Sequence, residues 1–431
     1  MIRKLIVSLL FVFILQIVNA QKTATIEDSI TNYFNEIKIA TKKHTLLWDK
    51  NLYGPILLVN PVTRMAYANV PDSAGILQSN GSVYRGILPL NINIANTAIH
   101  WNGNDWAMIL LPHLPETQQD RINLMAHELF HRAQPSLGFK PHDPINNHLN
   151  EKDGRVYLRL ELEALKMALT STTISEIKKN ITNALYFREY RYLIYPAADS
   201  TENMLELNEG LAEYTGVMIR GGNKVQIIEH FKQNINAFLT NPTFVRSFVY
   251  QTIPIYGYIL QTQKEHWNKD INANSHLTNY FIKAFEISFP DNLKKSVLTL
   301  SNKYNGSAII DEETKREERI KKLIAEYKSK FIEQPHFEIR FEKMNISFDP
   351  RNMMPIDDKG TVYPTIRVTD NWGILEVSDG ALISANWDKI SITNPTELDK
   401  KNIKGIGWVL TLNDGYAVEK DPDGNYKLLK K

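Results

Sequence analysis

Apolar residues change their spacing several times along this chain, and the changes mark out its elements. A near-continuous apolar run from Leu5 to Val18 comes first. Residues 27–42 (EDSITNYFNEIKIATK) then follow helical spacing. Residues 54–112 switch to short strand-like runs, GPILLV, YRGILPLNINIA and DWAMILLP, parted by Gly, Asn and Pro, which predicts a small sheet. From Pro115 the period is helical again. Leu124, Met125, Leu129 and Phe130 share one face, Thr117 with Asp120 supplies a start signal, and Pro135 supplies a stop.

Helical patterns continue over Val156 to Leu169, Ile174 to Tyr192 and Glu202 to Ile219. They end in DEETKREERIKKLIAEYKSKFIEQ, where Ile320, Leu323, Ile324, Tyr327 and Phe331 fit one face and the charges read as a solvated face. From about His336 the texture is β. FEIRF alternates, WGILEV and KISIT read as strands, and NDG (413–415) and PDG (422–424) read as hairpin turns. These patterns predict an α+β chain: a mostly helical unit with a small sheet on its N-terminal side, a boundary near residue 335, and a small β-rich domain over 336–431.

The first twenty residues add an address to this layout. Arg3 and Lys4 precede the apolar run, and small residues at VNA precede Gln21, so residues 1–20 read as a cleaved secretory signal and 21–431 as an exported, periplasmic or extracellular protein with no stable membrane span. The chain contains no cysteine, so neither disulfides nor lipidation at cysteine can hold it. Lysine plus arginine number 50 against 48 aspartate plus glutamate, which leaves no basic footprint for a nucleic acid. Neither GxGxxG nor GxxxxGK[ST] occurs, so a nucleotide partner has no support.

The chemistry is carried by LMAHELFHRAQ, residues 124–134. His127 and His131 stand one helical turn apart and present two imidazoles on one face, as a zinc site requires. Glu128, next to the first histidine, is placed to take a proton from water beside the metal. A third ligand must come from elsewhere, and LNEGLAEYTG (207–216) offers Glu209 and Glu213 on one helical face. Glu161 and Glu163, in RLELEALKMAL, are the rival carboxylates.

HELFH followed by NEGLAEY resembles the gluzincin metallopeptidases of the peptidase MA group, which includes thermolysin-like enzymes and zinc aminopeptidases. The resemblance covers roughly residues 90–285 and implies a zincin-type catalytic domain over 21–335, Zn2+ as cofactor and a peptide or protein as substrate. It makes His127, His131 and Glu209 the zinc ligands, Glu128 the general base, and Glu213 a carboxylate that holds a ligand histidine from behind. SFVYQTIPIYGYIL (247–260) is similar to the segment that supplies an oxyanion-stabilising tyrosine, with Tyr250 the better match and Tyr256 the second.

The chain departs from the family in two places. Glu209 follows His131 by 78 residues, where about twenty are usual in the family, so a largely helical insertion over about 140–200 must leave and return. No GxMEN stretch is present, and DWAMILLP stands where the substrate-side edge strand is expected.

Plainer roles suit other residues. Arg246 is a weaker candidate near Tyr250, and His142 and His148 read as surface. Trp101, Trp106, Trp372, Trp387 and Trp408 read as packing residues rather than a glycan platform. The reading is an exported zinc metallopeptidase. Its alternatives are a zinc hydrolase of a non-peptide substrate and a zinc-bearing surface-binding protein without catalysis.

Overall fold

The computed structural model describes residues 26–348 and 353–431; the expected signal at 1–20 lies outside them. After helix α1 (Ile26–Lys43), a six-stranded mixed sheet forms from β1 (Ile56–Val59), β2 (Met65–Ala68), β3 (Gln78–Asn80), β4 (Val83–Ile87), β5 (Thr97–Trp101) and β6 (Asn104–Leu110), in the spatial order β3-β4-β2-β1-β6-β5. β1 reads ILLV without alternation because both of its faces are covered: Ile56 and Leu58 join the main helical core, and Leu57 and Val59 join a second cluster around Trp106 and Met108.

Two expectations for this region are corrected. YRGILPLNINIA is strand only as far as Ile87. Beyond it the Arg64 guanidinium takes the backbone carbonyls, donating to Leu88 O at 2.9 Å, to Ile92 O at 2.7 Å and to Pro89 O, so no ladder partner is needed. DWAMILLP is also not the edge strand. β6 lies between β1 and β5, and β5, which among the described residues pairs only with β6, is the edge on that side.

Ten further helices come after this sheet: α2 (Gln118–Ala133), α3 (Lys152–Thr170), α4 (Ile174–Ile194), α5 (Ala198–Leu205), α6 (Leu211–Arg220), α7 (Lys224–Leu239), α8 (Val249–Gln261), α9 (Leu277–Ala284), α10 (Leu293–Ser301) and α11 (Gly306–Lys328), counted among the described residues. The single helix expected over Glu202 to Ile219 is interrupted by a π turn, Glu206–Gly210, between α5 and α6. α2 packs against both β6 and α6. α6 comes that close because Gly216 has no side chain: a Cβ there would stand 2.7 Å from the Asn123 carbonyl oxygen.

The insertion is built on the α3–α4 hairpin, and its buried center is ionic. Glu161, Arg188, Arg191, Glu202 and Glu206 are each wholly buried. Arg188 Nε donates to Glu161 at 2.7 Å and its NH2 lies 2.8 Å from Glu206, while Arg191 binds Glu161 at 2.9 Å and Glu202 at 2.6 Å. Thr252 adds a hydrogen bond to Glu206 at 3.0 Å. His148, expected at the surface, instead meets Glu202 at 2.7 Å. Helical spacing alone could not show that a guanidinium pair lay across from these carboxyls.

α11 is likewise not charged on a purely solvated face. Glu313 is buried and accepts from Arg155 and Arg159, each at 2.7 Å. Leu323, Ile324, Tyr327 and Phe331 pack on Ile356, Val362 and Leu382 of the C-terminal strands. Those strands begin at His336–Arg340 and form sheets of seven and six strands that share one core around Phe337, Trp372, Leu375 and Trp408. PDG turns a hairpin between Tyr416–Lys420 and Tyr426–Lys430, but NDG does not: it carries the chain from one sheet to the other, because Trp408–Leu412 and Tyr416–Lys420 belong to different sheets. Trp101, Trp106, Trp372 and Trp408 are buried, and Trp387 is half exposed. The whole is α+β, and among the described residues no helix is long and apolar enough to cross a membrane.

Candidate metal centre

α2 begins where Thr117 accepts from Asp120 N at 3.2 Å, and it buries Ile122, Met125, Ala126, Leu129, Phe130 and Ala133 against the sheet and α6. The apolar stripe fixes the rotation of the helix and turns His127 and His131 together toward a cavity of about 1120 Å³. Across that cavity the π turn presents Glu209. His131 Nε2 lies 3.0 Å from His127 Nε2 and 3.2 Å from Glu209 Oε2, and His127 Nε2 lies 3.4 Å from the same oxygen. These three residues can hold a metal ion, since one ligand atom from each falls within 4.8 Å of the others.

The hydrogen bonds behind the ligands test that fit. His127 Nδ1 meets the Glu213 carboxylate at 3.0 Å, and a carboxylate only accepts, so the ring proton sits on Nδ1. Glu213 is itself held by Asn123 Nδ2 at 2.9 Å. His131 Nδ1 lies 2.8 Å from Gln134 Oε1, whose amide orientation is set because its Nε2 donates to Asn208 O at 2.7 Å. Both imidazoles therefore turn bare Nε2 lone pairs toward each other and toward a carboxylate oxygen. Three acceptors at this spacing repel unless a cation or proton stands among them, and the backing partners are those that orient metal-ligating histidines.

Burial depresses the His127 imidazolium, but the hydrogen bonds it donates to Glu209 and Glu213 outweigh it and raise the group to about 10. The Glu209 carboxyl, despite burial, is held far below the usual range by His127 and His131. Glu128 moves the other way. It is buried, its Oε2 has no partner among the described residues, and burial raises its carboxyl above the ordinary 4.5, which makes it a stronger base than an exposed glutamate.

No protein-family model, no curated protein and no solved structure matches this chain. Its chemistry is therefore read from its own side chains.

Tyr250, from the first turn of α8, donates to Glu209 Oε2 at 2.8 Å and stacks on the His127 ring with centroids 5.7 Å apart. Burial, reinforced by Glu209, keeps its phenol protonated. Tyr256 lies outside this group: it is fully buried and donates to Glu161 at 3.0 Å. The rivals for the third ligand also lie elsewhere, Glu161 between Arg188 and Arg191 and Glu163 beside Lys166. Arg246 lines the cavity but is paired with Asp143 at 2.5 Å. His142 is exposed.

Sequence reading missed Asn123, Gln134 and Arg220. The first two carry a signal that helical spacing offers, standing four residues before His127 and three after His131. Arg220 carries none.

Proposed function

We propose that the protein is a zinc-dependent metallopeptidase of gluzincin type, exported from the cell, with a peptide or protein as substrate. The observation that carries the proposal is the pairing of a three-ligand site with a buried, unpartnered Glu128 beside it. A closed structural zinc site takes four protein ligands and has no use for such a base, whereas a catalytic one keeps a position open. Two imidazoles and a carboxylate suit zinc, which supplies Lewis-acid polarisation and acidifies water at the open position when bound.

The chain's own residues do the rest. Glu128 takes the proton of the attacking water and delivers it to the leaving amine, a transfer favoured by its raised carboxyl. Glu213 and Gln134 keep the ligand histidines from swinging and fix their tautomers. Tyr250 holds its proton and lines the same cavity, where its hydroxyl can donate to a developing oxyanion. Thr97 and Ala98 of the edge strand β5 line the same cavity, so an extended peptide has unpaired backbone groups to meet.

The test is a broad peptide library incubated with the zinc-loaded protein and with Glu128→Gln, read by mass spectrometry alongside metal content. Fragments from the parent alone, with equal zinc in both, are the expected result. Equal cutting by both proteins removes Glu128 from the mechanism. No cutting by either removes the general peptidase reading, leaving a zinc hydrolase of another carbonyl substrate or a binding protein.

A further inference from the structure

Arg220 closes α6, and its side chain is only 6% exposed where it lines the cavity. Its NH2 donates to Asp120 Oδ1 at 2.9 Å, while Nε and NH1 are buried with no acceptor among the described residues. Leaving two charged donors unmet in a shielded place is costly, so the position calls for a partner that the chain does not supply. Although Glu213 also acts on its charge, Asp120 is the carboxylate that hydrogen-bonds Arg220, and it is a poor partner. It is 41% exposed, accepts from Thr117 Oγ1 at 2.7 Å, and lies 3.6 Å from His230 Nδ1.

The surroundings narrow the chemistry of the missing partner. Gln226, His230, Gln233 and Asn234 of α7 recur at helical spacing and line the same end of the cavity, so the walls are amides and an imidazole rather than an apolar side-chain pocket. Glu229, on the same stripe, is engaged by Lys232 and Gln233. A carboxylate fits such a place, because a guanidinium offers parallel donors to both of its oxygens. The other cavity arginine, Arg246, is already paired with Asp143 and half exposed, so it lacks the unmet donors.

We infer that Arg220 anchors the free C-terminal carboxylate of the substrate, so that the enzyme cuts a short, set distance from a chain end. This deepens, and rests on, the peptidase reading above. Asp120, which holds Arg220, precedes His127 by seven residues on α2, about 10 Å at 1.5 Å per residue. An extended peptide covers about 3.3 Å per residue, so the carboxylate sits about two or three residues beyond the scissile bond. Arg220 is a specificity-determining residue here, and Glu128 keeps its role as base.

The test uses pairs of N-acetylated peptides that differ only in a free or amidated C-terminus. Binding to the zinc-loaded Glu128→Gln protein is measured by calorimetry and cutting by the zinc-loaded parent by mass spectrometry. The free acid should bind about 10- to 100-fold more tightly than the amide, and the parent should release products of about two or three residues from the free end. Adding Arg220→Gln to Glu128→Gln should erase the preference with zinc content unchanged. Arg220→Lys, which keeps the charge but not the fork, should retain part of it should the glutamine variant fail to fold.

Equal binding of acid and amide by the Glu128→Gln protein overturns the inference, as does a preference that survives Arg220→Gln. Cutting without acid preference sinks the anchor and spares the peptidase reading. An acid preference in binding with no cutting spares the anchor and sinks the peptidase reading. Neither binding nor cutting sinks both.

Discussion

Glu206→Gln should change the sign of its effect on stability between pH 4 and pH 8. In the buried cluster three carboxyls, Glu161, Glu202 and Glu206, face two guanidiniums, Arg188 and Arg191. Burial, with Glu202 and Glu161 nearby, pushes Glu206 up to about 7 against the pull of Arg188. A carboxyl raised in the fold stabilises below its unfolded value of 4.5, and that contribution is lost as pH climbs from 4.5 through about 7. At ~1.36 kcal/mol per pH unit the ionised group costs the parent about 3 kcal/mol above pH 7.

Glutamine removes that cost. It also turns an amide NH2 toward donors already present, which forfeits a hydrogen bond of about 1 kcal/mol. The variant should therefore be less stable than the parent by about 1 kcal/mol at pH 4 and more stable by about 2 kcal/mol at pH 8. Urea unfolding at the two pH values, with metal removed by a chelator, reads the difference directly. A loss of about 3–5 kcal/mol at both pH values would refute the reasoning, because it is what breaking a fully ionised buried pair produces.

Glu202 predicts the opposite limb. Arg191 and His148 hold it down to about 2 in spite of burial, so the stability it gives the parent is present above 4.5 and lost as pH falls toward 2, and in paired acid titrations the parent should lose more stability over that range than Glu202→Gln does. Tyr250→Phe should lower kcat about 100-fold or more with zinc content and KM nearly unchanged; a matching loss of zinc would assign Tyr250 to holding Glu209 instead. Glu213→Gln should weaken zinc binding about 10- to 100-fold in a competition titration, since it removes the charge behind His127, and unchanged affinity would contradict that role.

The parts of this site that sequence reveals are those set by local geometry. His127 and His131 share a face by spacing alone, and the apolar residues of α2 show which way that face turns. The pattern also carries the α+β layout, because periods of 3.6 and 2 differ visibly over short stretches. Spacing fails where partners come from far along the chain. Glu161 and Glu209 look alike on their helices, yet one meets guanidiniums and the other stands opposite imidazoles. His148 looks like a loop residue until Glu202 appears beneath it. Strand order is equally nonlocal: DWAMILLP has the composition of an edge or a center strand, and only the pairing with β1 decides. Arg220 is invisible for the same reason, since an arginine at a helix end most often simply faces water.

The π turn at Glu206–Gly210 carries a consequence for how the gene can vary. A π turn holds one residue more than an α turn, and each residue of an α-helix rotates the remainder of that helix by about 100°. Deleting one codon within 206–210 would remove the extra residue by which the turn carries Glu209 toward His131 while α6 keeps Glu213 behind His127, whereas the Ser171–Thr173 link between α3 and α4 takes part in neither contact. Length variation among descendants of this gene should therefore collect in the tip of the hairpin and vanish around the turn.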